Sequence, residues 1–473
     1  MYYSDKIEDA DNKRWIENKD YVYLDGDTGT GKSTYIFEKL IPYIYENTDK
    51  SIFLLSNRKL LCRQHRNTAR KYGIKVYSFE KNGYCKQSRL QIMTYQYLHK
   101  KLKENEDFEI NLICDVYNTV FILDECHYFL SDQWNKTTEK TLESILQTKA
   151  PTFFISATGD NVVNYVNQVS NKKITKQNTV SIPQNYSNIT LKSIYDKSKQ
   201  KCQITDLIYD ILNNTSDKVI YYHNNINRLC DIADELKIIY DPENIKLCYS
   251  PYDKDKHSLP SERDNILTDD NRINGRCILT TKIIDNGIDI FDDALKHVII
   301  DLTEPETIIQ AIGRKRTKTP LTVYINEPHK TLLYTIIETN NNKLKSSKST
   351  LNKYQYNVMI RDIQLFIDNS IISVIYEKLK HTGIQLDKSN KHEQLLSELE
   401  YHAENHIPVN KDNLKSLLSD TGIKAKQIDK INAALKDNNI PFVLSNKREK
   451  ITGHKNKNGK NNPVNVWYVN NVL

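Results

Sequence analysis

A glycine-rich turn between an apolar run and a helical pattern most constrains what this sequence can fold into. Residues 21–34 read YVYLDGDTGTGKST, and the apolar residues before the first glycine indicate a buried β-strand. The helical pattern that begins at Lys32 completes a strand–turn–helix unit, which is typical of parallel α/β proteins. The chain is therefore expected to be built from βαβ units around a parallel sheet.

The spacing within this turn fits a phosphate-binding P-loop. Glycines let backbone N–H groups turn towards phosphate oxygens, and the following helix directs its positive dipole end at the same anion. Lys32 is then placed to reach the β/γ-phosphates and the Ser33 hydroxyl to bind Mg²⁺. The predicted nucleoside triphosphate site comprises Gly26, Thr28, Gly29, Thr30, Gly31, Lys32, Ser33 and Thr34.

A second strand pattern, VFILDECH at 120–127, ends in two carboxylates. The carboxyl ends of parallel strands form the edge where such sheets bind ligands, so this segment is expected to face the P-loop. Asp124 is expected to hold Mg²⁺, and Glu125 to orient or deprotonate the attacking water. His127 is expected to contact a second domain, because no other histidine lies at the spacing of a metal ligand.

The DECH segment resembles the DEAD/DEAH-type box of superfamily 2 helicases, and the rest of that family's motif series follows in order. The resemblance covers residues 24–325. The further similar segments are SNR at 56–58, MTYQ at 93–96, SAT at 156–158, KVIYYHNN at 218–225, TTKIIDNGIDI at 280–290 and QAIGRKR at 310–316.

The resemblance implies two RecA-like domains that close on ATP and Mg²⁺. Its catalytic residues from the second domain would be Gln310, Arg314 and Arg316, with Gly287 and Asp289 close to the nucleotide. Ser156 and Thr158 would join His127 in coupling ATP to nucleic acid. The nucleic-acid contacts it implies are Asn57, Arg58, Thr94, Asn224, Thr280 and Thr281.

Two departures from the family pattern bear on these roles. Arg314 and Arg316 are two residues apart, whereas many relatives have arginines three apart, and Thr317 occupies the usual second position. The arginine that completes the ATP site is therefore left open between the two. No glutamine precedes Lys32, so the adenine-reading residue of DEAD-box RNA helicases is not visible, and a preference for ATP is implied by the family only.

The end of the chain concentrates positive charge. Residues 421–473 contain ten basic and three acidic residues, a balance equal to the +7 of the whole chain. Such a region is expected to contact a phosphate backbone. Helix-like segments at 413–419 and 424–437, followed by a β-rich ending, resemble a winged-helix module. A solvated loop on a small α/β cap remains the alternative. The expected contacts are Lys447, Arg448, Lys455, Lys457 and Lys460.

These patterns predict an α/β fold with five parts. The parts are a first RecA-like domain at 1–167, a linker at 168–190, a second RecA-like domain at 191–330, a helical accessory region at 331–400 and a basic C-terminal domain at 401–473. A plain helical extension on the second sheet is the alternative for residues 331–400. No apolar run approaches the roughly 18 residues needed to span a bilayer. With no secretory signal and eight scattered cysteines that form no CxxC pair, the expected location is the cytoplasm.

Three functions are compatible with this sequence. The first is an ATP-dependent helicase or translocase on nucleic acid, with DNA favoured over RNA. The second is a nucleic-acid-stimulated ATPase that remodels complexes without separating strands. The third is a nucleic-acid-binding protein whose ATPase has decayed, which the shortened arginine motif favours and the intact Lys32, Asp124, Glu125 and Arg314 oppose.

Overall fold

The computed structural model of the chain describes residues 2–471 with several intervals left out. The predicted site residues Thr28, Gly29, Gly287, Lys457 and Lys460 lie outside the described residues, and only the backbone of Lys455 is described. The intervals left out are 27–29, 77–88, 105–117, 132–137, 183–184, 196–202, 251–258, 263–264, 286–288, 329, 388–390, 421–422, 424–426, 438–439, 441 and 456–460.

The first domain is a six-stranded parallel sheet with strand order β3-β2-β4-β5-β1-β6. Helices cover both of its faces, which is why its strands are almost continuous runs of buried apolar residues. Its strands are β1 (Tyr21–Gly26), β2 (Ser51–Ser56), β3 (Leu90–Thr94), β4 (Thr119–Asp124), β5 (Thr152–Ser156) and β6 (Thr179–Ile182). Its helices are Tyr3–Lys6, Asp9–Glu17, Lys32–Tyr35, the π-helical Ile36–Leu40, Ile41–Asn47, Lys59–Lys71, Tyr95–Lys103, Tyr128–Ser131, Thr138–Thr148, Asp160–Val169 and the 3-10 turn Lys176–Asn178.

This strand order decides where the two nucleotide motifs meet. Strand β5 pairs with β1 on one side and with β4 on the other, all in parallel. The P-loop follows β1, the DECH segment follows β4, and the SAT segment ends β5 between them. The three motifs therefore share the carboxyl edge of one sheet, as predicted from their positions after strands.

The second domain is a seven-stranded parallel sheet with strand order β13-β7-β12-β11-β8-β10-β9. Its strands are β7 (Ile189–Tyr195), β8 (Lys218–His223), β9 (Ile245–Cys248), β10 (Cys277–Thr280), β11 (Leu295–Asp301), β12 (Leu321–Glu327) and β13 (Gln385–Leu386). Its helices are Gln203–Asn214, Ile226–Ile239 and Pro305–Ile312, with 3-10 turns Pro242–Asn244, Lys282–Asp285 and Lys380–Thr382. The two sheets confirm the predicted tandem α/β architecture.

Three helices lie between β12 and β13 in the chain: Lys330–Ser346, Thr350–Asn369 and Ile371–Leu379. We call Thr350–Asn369 the bridging helix, because its two ends are buried in different domains. Near its start, Leu351 belongs to the apolar core of the first domain, and the Tyr354 ring lies 5.2 Å from that of Tyr165. Near its end, Ile363 and Phe366 belong to the core of the second domain. The helical region therefore packs on the second sheet and also reaches the first.

The end of the chain has its own apolar core, centred on residues such as Leu399, Leu435 and Trp467. It consists of the helices Lys391–Glu404, Lys411–Asp420 and Ile428–Asp437 and the antiparallel hairpin of β14 (Phe442–Lys455) and β15 (Asn461–Asn471). Val409, between the first two helices, pairs antiparallel with Trp467. The hairpin therefore includes Lys447 and Arg448, two of the basic residues expected to contact a phosphate backbone.

Elements in polar segments differ most from the predictions. The interval 168–190, expected to be a linker, contains β6, which pairs with β1 at the edge of the first sheet. Its sequence TVSI has few apolar residues because an edge strand is buried on fewer sides. Within the predicted helical region at 331–400, the helix Thr350–Asn369 ends at Ser370, which has a φ of 64° and whose side chain caps the next helix.

Candidate nucleotide and nucleic-acid site

The described glycines of the P-loop are required by their surroundings. Gly31 has a φ of 81°, a conformation that residues with a Cβ rarely adopt. A Cβ on Gly26 would lie 2.3 Å from the hydroxyl oxygen of Tyr3 and 2.6 Å from that of Thr30, and both of those residues are buried. The close fit of the N-terminal helix against this loop was not visible in the sequence.

The residues after Gly31 start the helix as predicted. In Lys32–Tyr35, Ser33 and Thr34 are exposed at the first turn. The Lys32 ammonium donates a hydrogen bond to the carbonyl oxygen of Gly26 at 2.9 Å. The lysine thus folds back over the loop that it closes, with its charge at the same edge as the carboxylates after β4.

Glu125 lies at the centre of the cleft in a strained conformation. Its φ of 53° is in the left-handed region, which costs energy in a residue other than glycine and is often found at functional sites. Burial alone would raise the pKa of Glu125. The positive charge of Lys32, the neighbouring imidazole of His127 and the guanidinium of Arg314 instead hold that pKa well below its usual value. Glu125 is therefore ionised at neutral pH.

Asp124 is held at two points by residues that sequence reasoning missed. Its Oδ2 lies 2.8 Å from Nε2 of the buried His65, and its backbone carbonyl accepts a 2.7 Å hydrogen bond from the Tyr95 hydroxyl. The His65 ring packs against that of Phe37, with 5.8 Å between centroids. The sequence offers one signal for His65: it stands on the buried face of the amphipathic helix Lys59–Lys71, where a polar side chain needs a partner.

A hydrogen-bonded cluster joins the two domains beside Glu125. Nε2 of His127 lies 2.8 Å from the amide nitrogen of Gln310, which also donates to the Thr158 hydroxyl at 3.2 Å. Because that amide nitrogen can only donate, the ring hydrogen of His127 is on Nδ1, 2.9 Å from the Ser156 hydroxyl. The predicted coupling residues are thus brought together with Gln310, which the resemblance had assigned to catalysis.

The three consecutive basic residues at 314–316 have different environments. Arg314 is 4% exposed, lies close enough to Glu125 to lower its pKa, and has an Nε without a partner among the described residues. Arg316 donates through Nε to Asp289 at 2.8 Å. Lys315 donates to three backbone carbonyls at 2.6, 3.0 and 3.2 Å, and burial lowers its pKa to about 8. Of the two arginines, Arg314 is therefore the one whose guanidinium acts on the Glu125 carboxylate.

The strand-contacting residues implied for the first domain form a mixed group. Asn57 is 5% exposed, and neither polar atom of its side chain has a partner in the described part of the chain. Arg58 is exposed, and its guanidinium lies 5.9 Å from the ring centre of Tyr128, just after the DECH segment. Thr94 is used structurally, because its hydroxyl caps a helix by accepting from the Tyr97 amide at 3.1 Å.

The residues implied for the second domain also differ in exposure. Asn224 is exposed after β8. Thr280 is fully buried, and its hydroxyl donates to the carbonyl of Thr281 at 2.8 Å. Thr281 is half-buried at the end of β10. In this conformation Thr280 is not available to a strand at the surface, so its assigned contact would require a rearrangement.

The hairpin of the C-terminal module carries exposed positive charge. Lys447 and Arg448 are exposed on β14, and the Lys447 ammonium lies 5.0 Å from the ring centre of Tyr468. The helix expected over 424–437 is described from Ile428 to Asp437 only, and there its two lysines are balanced by two aspartates. The hairpin is the more basic of these two surfaces.

The residues at this edge fit ATP and Mg²⁺. Mg²⁺ takes oxygen ligands and is commonly held by one or two carboxylates together with substrate phosphates. The Asp124 carboxylate and the Ser33 hydroxyl supply such oxygens. The described residues contain no group of three or more His, Cys, Asp or Glu side chains that could hold a metal ion by themselves. The remaining ligands would thus come from the triphosphate and from water.

Two family models match the two sheets in turn. The type III restriction enzyme res subunit model matches residues 3–160, and the helicase conserved C-terminal domain model matches residues 199–316. The fold and the site define a P-loop protein with tandem RecA-like domains. The chain belongs to superfamily 2 of the helicases.

Solved structures share the fold at low identity. The DUF1998 helicase MrfA bound to DNA overlaps with a TM-score of 0.50 and 13% identity, over 91% of this chain and 58% of that chain. S. cerevisiae Dbp5 bound to RNA and ADP BeF3 gives a TM-score of 0.44 and 14% identity over 76% and 89%, respectively. No curated protein matches the chain significantly. Within the described residues, no helix is long and apolar enough to cross a membrane.

Proposed function

We propose that this protein hydrolyses ATP with Mg²⁺ and uses that reaction to move along, or to unwind, a nucleic acid. As a superfamily 2 helicase it belongs to a group of ATP-hydrolysing enzymes, and the proposal is that its own ATPase is active. DNA is the favoured track because no adenine-reading glutamine precedes Lys32 and the end of the chain resembles a winged-helix module.

The contact between Gln310 and the pair His127 and Thr158 carries this proposal. Gln310 belongs to the second domain, whereas His127 and Thr158 follow neighbouring strands of the first. Any change in the spacing of the domains would alter these hydrogen bonds beside Glu125. This arrangement supports a mechanism in which events at the triphosphate and the relative position of the domains depend on each other.

Each residue around Glu125 can be given a role in ATP hydrolysis. Bound ATP and Mg²⁺ would supply the phosphoanhydride bond and the charge of the ion. Lys32 would neutralise phosphate charge, and Ser33 and Asp124 would hold the ion. The ionised Glu125 would accept a hydrogen bond from the attacking water, which orients it, or would remove its proton. Arg314 would offset the negative charge that develops on the phosphoryl oxygens, the role of an arginine finger.

The exposed positive charges suit a track of phosphates. Arg58 in the first domain and Lys447 and Arg448 on the hairpin would contact the backbone, which carries little sequence information. The order of three helices and a hairpin, with Val409 paired to Trp467, supports a winged-helix interpretation of the C-terminal module. In that arrangement the basic hairpin would be the wing.

The test is steady-state ATP hydrolysis by the full chain, alone and with single-stranded DNA, duplex DNA or single-stranded RNA. Strong stimulation by one polymer, absent in Lys32→Ala, is the expected result, and the polymer identifies the track. Turnover no higher than that of Lys32→Ala with every polymer would overturn the proposal and favour a binding protein without ATPase. Strand separation is then measured on a tailed duplex. Stimulated hydrolysis without separation would indicate translocation or remodelling.

A further inference from the structure

We infer that His65 is a positioning residue for Asp124, and that it connects the segment Asn57–Arg58 to the metal-binding carboxylate. The inference rests on the proposed function, because it assigns Asp124 to Mg²⁺ and Asn57–Arg58 to the nucleic acid. None of the motifs used to recognise this chain includes His65. Its contact with Asp124 is visible only in the folded structure.

The hydrogen bond between His65 and Asp124 fixes the direction of the carboxylate. Nε2 of His65 lies 2.8 Å from Oδ2 of Asp124, and both residues are buried, at 3% and 7% exposure. An ionised carboxylate oxygen accepts, so Nε2 carries the hydrogen. Engaging Oδ2 restricts rotation of the carboxylate and leaves Oδ1 as the oxygen available to an ion. Partners of this kind orient metal ligands in many proteins.

His65 is itself held from the side of the P-loop. Its ring packs against Phe37, which lies in the π-helical turn Ile36–Leu40 that continues the P-loop helix. The Tyr95 hydroxyl separately fixes the backbone carbonyl of Asp124 at 2.7 Å. The position of the carboxylate thus depends on the helix that carries His65 as well as on its own strand.

That helix begins at the predicted nucleic-acid contact. Arg58 is the residue that precedes the first turn of Lys59–Lys71, and His65 stands two turns further along, about 10 Å by the rise of an α-helix. A helix moves as a rigid element over such a distance. A strand that bound Arg58 and shifted the start of this helix would therefore move Nε2 of His65 relative to Asp124.

The test measures Mg²⁺ binding without requiring turnover. Binding of a fluorescent ADP analogue to the full chain is titrated with Mg²⁺ for wild type, His65→Leu, His65→Asn and His65→Gln. Loss of the donor in His65→Leu should weaken the apparent Mg²⁺ affinity about 10–100-fold, with metal-free ADP binding unchanged. His65→Asn, whose amide is too short to reach, should behave like His65→Leu, and His65→Gln should recover most of the affinity. Asn67→Ala, which removes an exposed polar group from the same helix, is the matched control.

The connection to the strand needs a second titration. Adding single-stranded DNA should shift the wild-type Mg²⁺ midpoint by about fivefold or more, and the shift should be lost in His65→Leu and His65→Asn. A folded His65→Leu or His65→Asn with the wild-type midpoint would overturn the positioning role. Equal losses in His65→Gln and His65→Leu would also overturn it. If DNA does not change the wild-type Mg²⁺ midpoint, the connection between Asn57–Arg58 and Asp124 is overturned. Because ADP binding needs no hydrolysis, failure of the proposed ATPase would be seen separately.

Discussion

The two RecA-like domains supply the surroundings of Glu125 with groups that are held in different ways. In the first domain, the predicted metal residue and the nearby histidine are hydrogen-bonded within their own domain: Asp124 to His65 and Tyr95, and His127 to Ser156. In the second domain, Arg314 has an Nε without a partner among the described residues. Gln310, on the helix Pro305–Ile312 that precedes Arg314, has its hydrogen bonds across the cleft with the first domain.

This difference separates binding from turnover. A first domain whose ligands are oriented in advance can bind nucleotide by itself, at little cost in ordering its side chains. A second domain whose arginine keeps an unbonded Nε among the described residues offers a donor that can be satisfied when charge develops near it. Changes in the first domain should therefore alter nucleotide or metal binding, and changes in the second should mainly alter the rate of hydrolysis.

The largest effects are expected in the first domain. Lys32→Ala should lose turnover together with ATP affinity, because the charge that meets the phosphates is removed. Glu125→Gln should lower the turnover number by at least about 10³-fold, within the range for a missing general base, while ATP binding is largely kept. Turnover and ATP binding are measured for both variants, with Lys39→Ala, an exposed lysine on the same helix, as control. A wild-type rate in either variant would contradict the assigned site.

The next effect distinguishes the two arginines. Arg314→Ala should lower the turnover number about 10²–10³-fold with little change in nucleotide affinity, as for loss of one preorganised group at a transition state. Arg316→Ala should lower it less than about tenfold, because Arg316 is already paired with Asp289. Single-turnover hydrolysis measures both, and Lys318→Ala is the exposed control. The reverse order of effects would assign the finger to Arg316.

A smaller effect is expected at the contact between the domains. Gln310→Ala removes the hydrogen bonds to His127 and Thr158. The stimulation of hydrolysis by nucleic acid should fall about tenfold, while ATP still binds. The measurement is the ratio of hydrolysis rates with and without the polymer. Asn161→Ala, which removes a different hydrogen bond between the domains, to Glu306, serves as the comparison. Equal losses of stimulation in both variants would mean that the contact of Gln310 has no special role among the contacts between the domains.

The smallest effect is expected on the hairpin. Changing Lys447 and Arg448 together to Gln should lower the slope of log affinity against log salt by about 2, because each phosphate contact releases close to one counterion. Basal hydrolysis should not change. The slope is measured with the polymer that stimulates hydrolysis. An unchanged slope would remove the hairpin from the track and leave its charges as a solvated surface.

Much of the first domain could be predicted because its motifs follow buried strands. The P-loop, DECH and SAT segments occupy the predicted ends of β1, β4 and β5, since strand direction alone determines the edge they share. Long-range partners could not be predicted in this way. His65 finds Asp124 only through the packing of its helix, and β6 is too polar and too short to stand out from a linker.

The roles of neighbouring residues in one motif were also beyond the sequence. Arg314, Lys315 and Arg316 are adjacent and equally basic, yet one lies near Glu125, one binds backbone carbonyls and one pairs with Asp289. Spacing left the choice between the arginines open because side-chain direction after a helix depends on the turn that follows. The structure distinguishes the two arginines by their partners, and the effects of Arg314→Ala and Arg316→Ala test that distinction.

The bridging helix has a consequence for how the chain is made. Leu351 fills part of the first domain's core, although β6, the last strand of that domain, ends at Ile182. At synthesis rates of about 5–20 residues per second, the roughly 170 intervening residues take about 10–30 s to emerge. During that time the nascent first domain exposes the apolar surface that Leu351 later covers. A ribosome that pauses within the second domain would prolong this interval, during which chaperones or other nascent chains can reach the same surface.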